Sequence, residues 1–246
     1  MILTHVLASV NNNPTYYMFI PKQISFWKKL NIKFIALFVG ENIPSELLEY
    51  TDNIILYNKN LDLNTAYVGQ NLRMYYTALL IIPDNELVMI TDMDMLPTND
   101  TYYKNGLEHF TKDDFIYYRN IDGNQIYMCY NAAHPDTWSK VFDIKTISDI
   151  ESTIYKNYHD SYDGIPGSSG WFIDQEIMYK KLINYPTLKV LNRPIKRLEV
   201  NQYLQHINKK HTNFLLNYDD VHFHRNYFNN EKLISHAENE LYTYKK

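Results

Sequence analysis

The sequence predicts an α/β domain built round a mostly parallel sheet. Two observations carry this: short apolar runs recur along the chain, and longer segments with helical spacing separate them. At 246 residues and 45% hydrophobic content, the chain is long enough to bury a sizeable core. Nothing reads as a flexible linker or a solenoid repeat. One domain over 1–246 with a variable C-terminal end is therefore expected.

The elements follow in order. ILTHVLAS (2–9) reads as the first strand, and a helix is expected over 21–30. KFIALFVG (33–40) and NIILYN (53–58) are further strands, with a short helix at 45–50 between them. Ser45 stands three residues before Leu48 and four before Glu49, an imperfect capping box. A longer helix is expected over 66–82, then a strand ELVMITD at 86–92. After Pro97 and a polar cluster come strand-like runs at 114–120 and 125–133, helices at 135–142 and 148–157, and a glycine-dense loop at 163–170. WFIDQEIMYKKLI (171–183) follows that loop with apolar residues at helical spacing.

Composition removes several function classes. A net charge of -4 without a basic block gives no electrostatic footprint for nucleic acid. The single cysteine, Cys129, cannot form an intramolecular disulfide and reads as a small core residue. The longest apolar runs fall far short of the roughly 20 residues that span a bilayer. The N-terminus lacks the basic start and long apolar middle of a signal peptide, so a cytoplasmic protein without a membrane span is expected. With 23 tyrosines in the chain, no argument is built on a lone tyrosine, and the sequon at Asn99 is read as chance.

The informative stretch is LVMITDMDMLP (87–97). Residues two apart on a strand face the same side, so Asp92 and Asp94 are expected to converge at the strand exit, with Met93 facing away. Ligands of open α/β sheets bind beyond the carboxyl ends of the strands. Two neighbouring carboxylates repel unless a cation lies between them, and hard oxygen ligands suit Mn²⁺ or Mg²⁺, ions that bridge to phosphate oxygens. The plainer reading makes the pair ordinary turn residues ending at Pro97.

The Asp-x-Asp pair inside NLRMYYTALLIIPDNELVMITDMDML resembles the nucleotide-sugar-dependent glycosyltransferases of the GT-A fold. The layout is most similar to the branch related to bacterial galactosyltransferases and glycogenin. The resemblance covers most of the chain, and it is strongest over 70–97.

The resemblance implies a GT-A type, Rossmann-like central sheet flanked by helices. A nucleotide-binding half would span about 1–97 and an acceptor-side half about 98–246. It implies a metal-dependent transfer of a sugar from a nucleotide-sugar donor, with UDP the expected nucleotide, to a glycan or other hydroxyl acceptor. Asp94 would ligate the metal, Asp92 would share it and hold the ribose or sugar, and Arg73 would reach toward donor and carboxylates. CYNAA would set Asn131 and Ala132 against the donor sugar, although Ala133 replaces the usual glycine; a plain core strand explains that segment equally.

WFIDQE would bring Asp174 to sugar or acceptor hydroxyls and Gln175 beside the reacting carbon. Read without the family, both are the polar first turn of a helix. DVHFHRNYF offers His222 or His224 as the remaining metal ligand, with His222 first because Phe follows it. The family's Lys-Pro-Trp is absent here, and Arg225 is the expected substitute at the diphosphate. Ala8, Ser9 and Val10 would frame the nucleobase, with Tyr16 or Tyr17 able to stack on it.

Retention or inversion stays open: Asp174 would be the base for inversion, the departing phosphate for retention. Two other readings stay beside this one. Asp-x-Asp phosphatase-like hydrolases carry such a pair at a strand end, usually on the first strand. A domain that binds a sugar nucleotide without turnover would keep the same residues.

Overall fold

The computed structural model describes residues 1–246 other than 60, 161, 166, 169, 208–213, 225 and 244–246. Its first half runs β1 (Ile2–Asn11), α1 (Pro14–Tyr17), α2 (Ile20–Lys29), β2 (Lys33–Val39), β3 (Ile54–Tyr57), α3 (Thr65–Tyr76), β4 (Glu86–Ile90), β5 (Met95–Pro97) and α4 (Thr101–Lys104). The second continues β6 (Phe115–Tyr117), β7 (Asn131–Ala133), α5 (Pro135–Phe142), α6 (Ile147–Asn157), α7 (Ile173–Leu182), β8 (Leu188–Val190), β9 (Arg197–Glu199), α8 (Val200–Ile207), β10 (Asp220–His222) and α9 (Tyr227–Thr243).

Seven strands form one sheet in the order β3-β2-β1-β4-β7-β6-β8. The four strands β1 to β4 are mutually parallel; β7 alone runs against its neighbours β4 and β6. Chain alternation supplies both faces of this sheet. Val6, Ala8 and Val10, Phe34, Ala36 and Phe38, and Leu87 and Met89 pack one way, against α2 and α9. The residues between them, Leu7, Ile35, Leu37, Val39, Val88 and Ile90, pack the other way against α3, α5, α6 and α7. Burial on both faces is why these strands read as continuous apolar runs.

A second, three-stranded sheet has the order β5-β10-β9. Val221 sets β10 into the core, while register places His222 opposite Met95 on one side and opposite Glu199 on the other. The antiparallel partner β5 lies immediately after the carboxylate pair, so this small sheet carries the C-terminal segment to that pair.

Several expected elements change in type or length. The segment at 45 is a 3-10 helix, Ser45–Asn53, without a side-chain cap, so the imperfect box is not made. The helix expected over 66–82 ends at Tyr76, with a 3-10 turn Thr77–Leu79 before Pro83. The run 125–133 is strand only at Asn131–Ala133, because its first half turns back at an Asp122–Gln125 bridge. The helix at 147 starts with a capping box between Thr146 and Asp149. Among the described residues, no helix is long and apolar enough to cross a membrane.

Candidate functional site

The strand order reverses direction at β1, with β2 on one side and β4 on the other. Such a switch point opens a crevice beyond the carboxyl ends of the strands. A cavity of about 480 Å³ opens there, lined from β1 by Ser9, Val10 and Asn11, from α3 by Gly69, Gln70 and Arg73, and by Asp92 to Met95 after β4. The loop 127–129, the start of α7 and His222 complete its wall.

Gly69 lets α3 approach this strand end closely. A Cβ on it would stand 3.3 Å from the Asn11 amide nitrogen and 3.4 Å from the Val10 carbonyl carbon. Ser9 ties the two elements together by donating its hydroxyl to the Gly69 carbonyl.

Arg73 is the hub of one wall. It is buried, and its guanidinium donates to the Thr91 carbonyl at 2.7 Å and to Asp92 Oδ1 at 2.5 Å, and reaches Asp174 Oδ2 at 3.4 Å. Burial disfavours the Arg73 charge, yet Asp92 and Asp174 hold its pKa above the ordinary value. Burial likewise opposes the charge on Asp92, and Arg73 wins, keeping that carboxyl below the usual range. Asp174 goes the other way. Its side chain is 1% exposed, and desolvation pushes it up to about 6 despite Arg73 and the Gln175 amide, which donates to it at 2.8 Å.

The opposite wall gathers round His222. Its Nε2 lies 3.5 Å from Asp94 Oδ2 and its Nδ1 3.2 Å from Glu199 Oε2. Burial works against the imidazolium, but Asp94 and Glu199 raise its pKa. Arg197 clasps the fully buried Asp220 through two nitrogens, at 2.9 and 2.7 Å, and still lines the cavity. Arg119 lines it too, its guanidinium 4.3 Å from the centre of the Tyr127 ring.

The two motif carboxylates reach the cavity from a turn. β4 ends at Ile90, before either Asp, so their common orientation does not come from strand pleating as the sequence suggested. The turn is instead held from behind by Gln23, whose side-chain amide donates to the carbonyls of Asp92, Met93 and Met95 at 3.2, 2.8 and 2.9 Å. The Trp27 indole in turn donates to Gln23 Oε1 at 2.8 Å.

Of the sequence-derived residues, Arg73, Asp92, Asp94, Asp174, Gln175, His222, Ser9 and Val10 meet in this cavity. Ala8 does not: it is fully buried, and its side chain packs from β1 into the core. Asn131 and Ala132 are also fully buried, and Asn131 donates to the carbonyls of Tyr127 and Met128, bracing the wall rather than forming it. His224 stands beside the cavity with its side chain half exposed. Tyr16 lines the rim, whereas Tyr17 is buried and donates to Glu46. Arg225 lies outside the described residues.

Sequence reasoning missed Gln23, Arg119, Arg197 and Glu199. Gln23 had a signal, since it shares the buried stripe of α2 with Ile20, Phe26 and Trp27, and a polar residue on an apolar stripe needs a partner. Glu199 and Arg197 sit on a three-residue strand, too short for a period to register.

No family model matches the chain, and no curated protein sequence matches it. Solved structures do. A glycosyltransferase from Streptococcus pneumoniae TIGR4, GlyE, superposes with a TM-score of 0.51 at 11% identity, covering 98% of this chain and 63% of that one. The chain therefore spans less than two thirds of that protein. The galactosyltransferase LgtC, solved with donor and acceptor sugar analogues, gives 0.49 at 11% identity over 96% of this chain and 95% of that one. A glycosyltransferase involved in glycosylation of the PBCV-1 major capsid gives 0.46 at 10% identity over 98% and 99%. With its mostly parallel sheet, its switch-point cavity and its likeness to GlyE, the chain has the GT-A glycosyltransferase fold.

Proposed function

We propose that the chain is a metal-dependent glycosyltransferase that moves a sugar from a nucleotide-sugar donor, UDP-linked, to an acceptor hydroxyl. One observation supports this above the others. Arg73, Asp92, Asp94, Asp174, Gln175 and His222 come from four separate chain segments and converge on one cavity at the switch point of the sheet.

Asp94 and His222 are paired as candidate ligands for a divalent ion, whereas Asp92 is gripped by Arg73 and is not drawn into one cluster of ligand atoms with them. Asp94 and Nε2 of His222 would hold the ion, and a carboxylate with an imidazole suits Mn²⁺ better than Mg²⁺. Such an ion supplies Lewis-acid stabilisation of the diphosphate leaving group.

The chain's own residues do the remaining work. Arg197 and Arg119 add positive charge to the wall that a diphosphate would face. Arg73 Nε and Gln175 Oε1 are buried without a hydrogen-bond partner among the described residues, and both belong to cavity-lining side chains. Buried polar atoms of this kind cost free energy unless a ligand satisfies them. Gln175 would accept from a donor-sugar hydroxyl beside the reacting carbon. Asp174, more basic than an ordinary carboxylate, would take a hydrogen from a sugar or acceptor hydroxyl. Ser9, Val10 and Tyr16 frame the rim for the nucleobase.

A phosphatase-like reading needs Asp92 as a nucleophile. Arg73 grips one of its oxygens at 2.5 Å, which argues against that role.

The test is a thermal-shift screen with UDP, GDP, CMP and nucleotide sugars, with and without Mn²⁺, on the native chain and Asp94→Ala, followed by an assay of UDP release with candidate acceptors. Stabilisation by UDP only with Mn²⁺, lost in the variant, together with UDP release, is the expected result. Binding without release for any acceptor or water reduces the chain to a sugar-nucleotide binder. No shift with any nucleotide removes the proposal.

A further inference from the structure

His222 presents its two ring nitrogens to two different carboxylates, Nε2 to Asp94 and Nδ1 to Glu199. Glu199 is itself shared, because His224 Nε2 lies 2.7 Å from the same carboxylate oxygen. One ligand atom from each of Glu199, His222 and His224 falls within 4.8 Å of the other two, close enough to surround a single ion. Strand register builds this trio. Glu199 is the Cα partner of His222 in the β9–β10 pair, so the two side chains leave the same face of the small sheet. Just past the strand, His224 adopts the left-handed conformation (φ 45°), uncommon for a non-glycine residue, and its ring centre lies 4.2 Å from that of His222.

We propose that Glu199, His222 through Nδ1, and His224 form a second divalent-metal site, specific for transition metals, that fills without nucleotide. Two imidazoles and one carboxylate are the donor set of Zn²⁺ and Co²⁺, with a coordination position left for water. Mg²⁺ is disfavoured, since it demands octahedral oxygen ligands. The site also competes with the one on the Asp94 side. A neutral imidazole has one lone pair, so His222 ligates through one nitrogen at a time. When Nδ1 holds the ion, Nε2 keeps the proton and donates to Asp94, withdrawing His222 from a metal bound there. The binding of Zn²⁺ or Co²⁺ stands on the trio alone; the competition rests on the proposed function.

The experiment titrates Co²⁺ into the metal-free full chain without nucleotide and reads the visible d–d absorption and the melting temperature. A saturable band of one equivalent is expected, displaced by Zn²⁺ and untouched by excess Mg²⁺. Glu199→Gln and His224→Asn should each weaken Co²⁺ at least about tenfold, a loss that even partners behind a ligand commonly produce. Asn is chosen because it tolerates the left-handed backbone, and Glu199→Gln decides alone if the other variant fails to fold. Asp94→Asn should retain the band.

A band that survives Glu199→Gln, or one that disappears in Asp94→Asn, overturns the site. Mn²⁺-dependent stabilisation by UDP, measured on the same preparations, reports on the donor reading separately. If it is absent while the Co²⁺ band persists, the glycosyltransferase reading falls and this site stands. If it is present, one equivalent of Zn²⁺ should weaken it in the native chain and not in Glu199→Gln; equal weakening in both removes the competition.

Discussion

The side-chain amide of Gln23 donates to the carbonyl of Met93 at 2.8 Å, fixing from α2 the turn that carries both motif carboxylates. Gln23 is fully buried and serves Met95 as well. Gln23→Leu keeps the bulk and leaves those carbonyls and the Trp27 indole unpaired, so a loss of about 2–4 kcal/mol is expected in urea denaturation. Metal-dependent nucleotide binding should weaken with it, although every carboxylate remains. Unchanged stability and unchanged binding would show that the turn holds itself.

Arg73 neutralises Asp92 and Asp174 together in the cavity wall, where Asp174 is buried and Asp92 partly exposed. Arg73→Met leaves the buried Asp174 and the partly exposed Asp92 uncompensated, and about 2–4 kcal/mol of stability should go with it. Arg73→Lys keeps the charge but reaches fewer partners, so its loss should be smaller. Equal denaturation midpoints for Met and Lys would mean that packing, rather than charge, makes Arg73 necessary.

Asp174 makes the native state sensitive to pH in one direction. Its folded pKa, about 6, lies above the unfolded value. The folded chain therefore binds the proton more tightly, a contribution fully present below the unfolded pKa and lost as pH rises through about 6. Asp174→Asn removes the cost of the buried charge, so it should stabilise the chain at pH 8 by up to about 3 kcal/mol. The gain should shrink toward zero at pH 4, while turnover is lost. A gain that does not vary between pH 4 and 8 would refute this account of Asp174.

The pair Arg197 and Asp220 is suited to a double-mutant cycle. Asp220 is fully buried, is held twice by Arg197 and accepts from Tyr130 Oη at 2.6 Å. Arg197→Leu strands that carboxylate and should cost about 3–5 kcal/mol. Adding Asp220→Leu should recover a large part of the loss, which chemical denaturation of the single and double variants would read as a coupling energy. Additive losses would separate the two residues energetically.

Much of this molecule was legible in its residues. Each apolar run of the parallel core became a strand, because a strand buried on both faces must be apolar throughout, and the runs in β1, β2 and β4 are. The carboxylate pair stood out in the sequence because two like charges beside an apolar strand call for a cation between them. Less legible were Gln23, whose role appears only once α2 lies against the turn, and Asn131, for which the resemblance implied a sugar contact and a core strand explained the segment equally, and which lies in a buried strand.

The sequence by itself determined the α/β architecture and the order of the parallel strands along the chain, and it set Asp92 and Asp94 at the exit of one of them, although that strand stops at Ile90, two residues earlier than expected. Only the tertiary structure decided which groups those carboxylates face: Arg73 between Asp92 and Asp174, and His222 between Asp94 and Glu199. The reason is physical. Periodicity and turn chemistry act over a few residues and are written locally, whereas the register of three-residue strands far apart in the chain is set by what the whole core buries.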